Sequence, residues 1–162
     1  MDSNTRSYSR GEAVAYARRW ALSRNPRYHD FEQLGGDCTN FASQCVFAGA
    51  GVMNFSPVTG WYYRSLGERA AAWTGVQFLY KFLTGNTGFG PWARETEAGE
   101  LMPGDIVQLG NSDGSFYHSP VVVETHPAIL VCAHSFDCAD RPLDSYDFEE
   151  IRCIHIEGVR MG

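Results

Sequence analysis

The sequence contains no run of hydrophobic side chains long enough to cross a bilayer. The longest uninterrupted stretch is Ala128 to Ala133, far short of the ~20 residues a transmembrane helix needs. No charged-then-apolar leader follows Met1, so the reading is a soluble, cytoplasmic chain with no signal peptide and no membrane partner. Basic excess is also missing. The formal net charge is −6, which gives nucleic-acid binding no electrostatic support. CxxC, HxxxH and HExxH spacings are absent, which argues against a dedicated zinc site. There is no GxSxG elbow for a serine nucleophile, and the glycines from Gly85 to Gly90 lack the lysine of a phosphate loop. Internal repeats, low-complexity tracts and Pro/Ser-rich linkers are absent too, so 162 residues are read as one domain.

What is present is ordinary globular material, 44% hydrophobic and 20% charged, in a chain long enough to bury a real core. Residues 1–30 hold six Arg against three acids, and the stretch from Asp137 to Glu157 holds seven acids against two Arg. Neither is a run of like charge, so both read as solvated faces, with a basic helix docking an acidic partner as the sharper alternative. The five cysteines, at 38, 45, 132, 138 and 153, are odd in number and show no disulfide framework; free thiols in a reducing compartment are the simpler account. Asn54-Phe55-Ser56 fits a glycosylation acceptor, which means little without secretion.

The first half has helical periodicity. Ser9 and Glu12 form a capping box before Ala13, Tyr16, Ala17, Trp20 and Ala21, and that helix should stop before Pro26. A second helix should begin beside Cys38 and end at Gly49 or Gly51. A third helical region spans about 65–83, broken near Thr74-Gly75, and Gly60-Trp61-Tyr62-Tyr63 between them reads as an aromatic loop. The second half turns β-branched. Strands are expected over 105–109, 117–124, 128–134 and 151–156, the middle pair joined across His126-Pro127. Helices at about 8–85 followed by strands at about 101–158 describe an α+β domain with an antiparallel sheet.

Gly35-Gly36-Asp37-Cys38-Thr39-Asn40 carries the strongest chemical signal. The glycines allow a tight turn into a helix, and a helix N-terminus favours a thiolate on Cys38 and an oxyanion beside it. A buried structural cysteine is the plain alternative. Among the histidines, His29 reads as a surface residue, His126 as a turn residue and His155 as a core or edge residue. His118 and His134 lie equidistant from His126, so a symmetric hairpin would oppose them directly. His118 would then be the base, and His134 would orient it. A one-residue slip would separate their faces, and Asp137 is the rival orienter. Two unrelated sheet histidines are the bland alternative. A competing zinc reading uses Cys132, His134 and Cys138, with Cys153 and His155 as a second Cys-x-His pair. Trp61, beside Gly60, is the aromatic residue expected to line a cleft; the others, Tyr62, Tyr63, Trp73, Phe78 and Tyr80, read as core.

The run from Gly35 to Cys45 resembles the nucleophile segment of the bacterial putative amidase domain family, related to the NlpC/P60 and CHAP hydrolases. Gly60-Trp61-Tyr62-Tyr63, Trp73, Leu101-Met102-Pro103-Gly104-Asp105-Ile106-Val107, Tyr117-His118-Ser119, Ala133-His134-Ser135 and Asp140-Arg141-Pro142-Leu143 follow in the family's order. The resemblance implies a papain-like fold, with Cys38 as nucleophile, His118 as base and His134 as the third polar residue. Asp37 would take a supporting role, and Asp137 stays an alternative to His134. It implies a cysteine-dependent amide or peptide hydrolase that needs no cofactor or metal, with cell-wall peptides as one candidate substrate. A non-catalytic binding module on the same fold is the alternative.

Overall fold

The structure, a computed structural model, describes residues 4–162. A short strand β1 (Thr5–Arg6) leads into helix α1 (Arg10–Trp20). Ser9 is the N-cap, its Oγ accepting from the Glu12 N–H at 3.4 Å, as the sequence pattern anticipates. Helix α2 (Cys38–Ala50) follows, closed by Gly51 in the left-handed conformation at φ 75°, which a residue without Cβ adopts without strain. A small hairpin, β2 (Tyr63–Ser65) with β3 (Glu68–Arg69), precedes helices α3 (Ala71–Thr74) and α4 (Val76–Gly85). The expected helix therefore begins later than residue 65 and does break at Gly75.

The remaining strands are β4 (Gly90–Thr96), β5 (Ile106–Gly110), β6 (Phe116–His118), β7 (Val121–Glu124), β8 (Leu130–Ala133), β9 (Cys138–Pro142) and β10 (Glu150–Arg160). Among the described residues they form one antiparallel sheet with β1, in the order β1-β10-β5-β7-β8-β9, with β4 also on β10 and β6 also on β5. The architecture is α+β.

Alternation along the strands explains why the sheet is buried on both faces. Ile106, Val121, Val123, Cys132, Ile154 and Ile156 join α1, α2 and α4 in the main core. Their neighbours Val107, Leu109, Val122, Val131 and Cys153 form a second cluster with Leu101 and Leu143 on the other face. Helix α2 is the centre of the molecule and is buried almost all round, including Thr39, Asn40, Ser43 and Gln44. Each of those polar residues has a partner, as interior polar groups require. Asn40 accepts from Trp73 Nε1 at 3.0 Å, Ser43 from Trp61 Nε1 at 3.0 Å, and Gln44 from the Tyr16 hydroxyl at 2.5 Å.

Two expectations need correcting. Trp61 is fully buried, stacked between Trp73 and Phe82 at centroid distances of 4.8 and 5.8 Å, so it is a core residue and lines no cleft. The bond to Ser43 is the reason: an indole can be buried whole when its N–H finds an acceptor. The symmetric hairpin is also shifted. Val121 pairs with Cys132, and a bulge between Val122 and Glu124 takes up one residue. That places the ladder one step from the register opposing 118 and 134, and one step reverses the faces.

Candidate active site

The glycine pair does what its composition suggests. Gly35 and Gly36 take φ values of 94° and 102°, and the chain turns so that Cys38 is the first residue of α2. Cys38 is 7% exposed. Its Sγ lies 3.9 Å from the Tyr117 carbonyl and 3.7 Å from Thr39 Oγ1, and the backbone N–H groups of Ser119 and Thr39 also point to it. The thiol therefore sits against the strand edge at His118, touching the backbone of the residues before and after it.

His118 is 8% exposed and lies 5.6 Å, ring to ring, from Tyr146. Its own backbone faces β5, where it pairs with Leu109. No hydrogen bond joins its ring to Sγ or to any other group among the described residues. Burial, and secondarily the positive charge of Arg141, pull its pKa down to about 4, so the imidazole is neutral at pH 7 and able to accept a proton. Burial likewise pushes the Cys38 thiol up, opposed by the Thr39 hydroxyl and the two N–H groups. Burial thus works against the thiolate that a helix start favours.

His134 is engaged elsewhere. Its Nδ1 lies 2.5 Å from Asp37 Oδ2 and its Nε2 2.8 Å from the Trp20 carbonyl. Its ring stacks on Phe41 at 4.0 Å, and both members of the His134–Asp37 pair have side chains only 1% exposed. The Trp20 carbonyl can only accept, so Nε2 donates to it. Asp37 Oδ1 accepts from the Phe31 N–H at 2.8 Å and from Asn40 Nδ2 at 2.9 Å. The pair thus ties three segments together, the end of α1, the start of α2 and the end of β8. His134 does not contact His118. Asp137 does not either; it pairs with Arg24 at 2.7 Å.

The zinc reading finds no support in the arrangement of its residues. Among the described residues no three His, Cys, Asp or Glu side chains gather as a metal site, and Cys138 Sγ instead lies 3.3 Å from the Tyr146 hydroxyl. All five cysteines are free thiols. No helix among the described residues is long and apolar enough to cross a membrane. Two open cavities of about 550 and 660 Å³ share Asn54 and Ser56 at their walls; neither is lined by Cys38 or His118. Two residues of the motifs, Thr39 and Ser119, lie against the thiol, and Gln108, which no motif marks, bonds to Ser119; all three are polar and fully buried.

A family model described as a putative amidase domain matches residues 7–156. An uncharacterized protein, YhbB of Bacillus subtilis (strain 168), is 34% identical over 119 residues. That alignment takes in 72% of this chain and 37% of the relative, so the chain spans little more than a third of that protein's length. No solved structure matches.

Proposed function

The chain belongs to the putative amidase domain family, and from that premise we propose that it is a cysteine-dependent amide or peptide hydrolase with Cys38 as nucleophile and His118 as general base and acid. The observation that carries this is the seating of Sγ at the start of α2 between the Tyr117 carbonyl and the Ser119 N–H, the two backbone neighbours of the buried His118. In the reaction, Sγ attacks the amide carbonyl carbon while its proton passes to His118. The imidazolium protonates the leaving amine as the C–N bond breaks, giving an acyl-thioester. Water then gives a proton to His118, attacks the thioester and releases the acid and the thiol. Backbone N–H groups at the start of α2, with the helix dipole behind them, are placed to receive the oxyanion.

A helix carrying the cysteine and packed on an antiparallel sheet also agrees with a papain-like arrangement related to the NlpC/P60 and CHAP hydrolases. That relation, and peptides of the cell wall as substrate, are part of the proposal. Asp37 and His134 act in it as positioning residues that brace the turn before Cys38.

Amine release from a panel of peptides and small acyl amides tests the reading. Turnover is expected for the wild type, none for Cys38→Ala, and a loss of about 10²–10⁴-fold for His118→Gln. Undiminished turnover by Cys38→Ala would overturn it. A second reading, a non-catalytic binding module, is favoured by one observation: both large cavities lie away from Cys38. That reading expects ligand binding with no amine released from any substrate.

A further inference from the structure

Beside the thiol runs a buried chain of polar side chains that the hydrolytic step does not use. It starts at Arg152, whose guanidinium lies between the rings of Tyr80 and Phe116, 3.6 and 3.9 Å from their centroids. Arg152 Nε donates to Gln108 Oε1 at 2.8 Å, and its Nη2 donates to Gln77 Oε1 at 2.7 Å. Gln108 Nε2 donates to the Val76 carbonyl at 2.9 Å and to Ser119 Oγ at 3.1 Å. Ser119 Oγ lies 3.1 Å from Thr39 Oγ1, which lies 3.7 Å from Cys38 Sγ.

Donor and acceptor inventory fixes the direction of the bonds from Arg152 as far as Ser119; between the Ser119 and Thr39 hydroxyls and Cys38 Sγ either atom can donate. A guanidinium has only donors and a peptide carbonyl only acceptors. The Gln108 amide must therefore turn its oxygen to Arg152 and its nitrogen to Val76, which fixes the flip that geometry alone leaves open. Both hydrogens on Nε2 are then committed, one of them to Ser119. Having accepted that bond, the Ser119 hydroxyl has its own hydrogen free for Thr39, the hydroxyl nearest it. Thr39 in turn has its hydrogen free for Sγ. With Gln108, Ser119 and Thr39 all fully buried, no bulk water competes for these rotors, and aligned hydrogen bonds in such a setting reinforce one another.

We propose that Thr39 is a positioning residue for Cys38, its hydroxyl held as a donor to Sγ by a one-directional relay from Arg152 through Gln108 and Ser119. The relay rests on the reading of Cys38 as nucleophile, because a donor aimed at sulfur stabilises the negative charge that develops when the thiol gives up its proton. Its source is a guanidinium bonded to two glutamine oxygens, with the Glu95 carboxylate acting on it only through space. A merely structural Thr39 would only need to fill space.

The test is the pH dependence of iodoacetamide labelling at Cys38, read by peptide mass spectrometry, with the other four cysteines as internal references. Thr39→Val keeps the shape and removes the donor. It is expected to move the labelling midpoint to higher pH and to slow labelling below that midpoint by about tenfold, in keeping with the strength of a hydrogen bond to a charged group. Thr39→Ser should restore the wild-type profile. Ser119→Ala should shift the midpoint in the same direction by less, since Thr39 keeps its hydroxyl but loses the group that orients it. An unmoved midpoint in Thr39→Val, or no rescue by Thr39→Ser, would overturn the relay. A midpoint that falls in Ser119→Ala would show the chain to run the other way and would overturn it as well. Failure of the relay is separable from failure of the hydrolase reading: acylation of Cys38 in the wild type tests the latter whatever the Thr39 variants do.

Discussion

Among the described residues there are two Asp–His pairs, one buried and one partly exposed, and they are not equivalent. Asp37–His134 stands immediately before the candidate nucleophile, with both imidazole nitrogens bonded, to the carboxylate and to the Trp20 carbonyl. Asp105–His155 lies on the β5–β10 side of the sheet. There Asp105 accepts from His155 Nδ1 at 2.8 Å, from Arg10 at 2.8 Å, and from the N–H groups of Met102 and Ile156 at 2.9 Å each. His155 is 14% exposed and has no bond on Nε2. Geometrically the second pair is closer to a catalytic dyad, with one nitrogen oriented by a carboxylate and the other free. Yet no nucleophile is bonded to it, and the histidine whose backbone neighbours touch Cys38 Sγ is His118, which has no carboxylate partner. An Asp–His contact is therefore weak evidence of catalysis; in this chain both pairs serve first to pin segments that are distant in sequence.

The comparison can be broken most severely at Asp37. Asp37→Ala leaves His134 Nδ1 and the Phe31 N–H buried without their partner and removes one of the two acceptors of Asn40 Nδ2. It is expected to cost about 3–5 kcal/mol in urea unfolding, with loss of Cys38 reactivity because the turn before it is freed. A cost below 1 kcal/mol would show that the pair does not hold the site.

Next in size is a pH effect on His118, a buried histidine that belongs to neither pair. Its folded pKa, about 4, is below the unpaired value of 6.5. The unfolded chain therefore binds the proton more readily, and stability present above pH 6.5 is lost as pH falls toward 4, by up to about 3 kcal/mol. His118→Gln should remove that part of the pH dependence. Equal slopes for both proteins over this window would contradict the burial of a neutral imidazole.

The smallest effect is expected at the second pair. His155→Gln should lose about 1 kcal/mol, the worth of an ordinary hydrogen bond, and leave Cys38 labelling unchanged. A change in labelling would mean that the far side of the sheet communicates with the thiol.

How much of this the sequence discloses depends on how local each cause is. The Ser9 cap, the Gly35-Gly36 turn into α2 and the Gly51 stop are written within a few residues of where they act, and they are legible. The strand that follows Pro103-Gly104 is legible for the same reason. β4 and β9 are not. β4 owes its extended form to β10, some sixty residues on, and Cys138–Pro142 combines two charges with a proline, a poor strand signature that pairing with β8 overrides. The site divides similarly. Cys38, Asp37 and His118 stand out by type and setting. His134 stands out too, but its partners do not: symmetry about His126 points to His118, whereas His118 lies on β6 against β5 and His134, just past β8, bonds to Asp37. Trp61 reads as a cleft residue because a neighbouring glycine is visible in sequence and its acceptor on Ser43 is not. The Arg152 relay draws on four separated segments, and although Thr39 and Ser119 fall in recognisable motifs, nothing local links them to Gln108 and Arg152.

The central claim, that Cys38 is the nucleophile and His118 its base, is tested most directly by acyl transfer from an activated ester such as p-nitrophenyl acetate, followed by peptide mass spectrometry. The account predicts a transient acyl group on Cys38 alone among the five cysteines, absent in Cys38→Ala and formed far more slowly in His118→Gln. Acylation spread evenly over the cysteines, or proceeding at Cys38 with the same rate and pH profile when His118 is replaced, would contradict it.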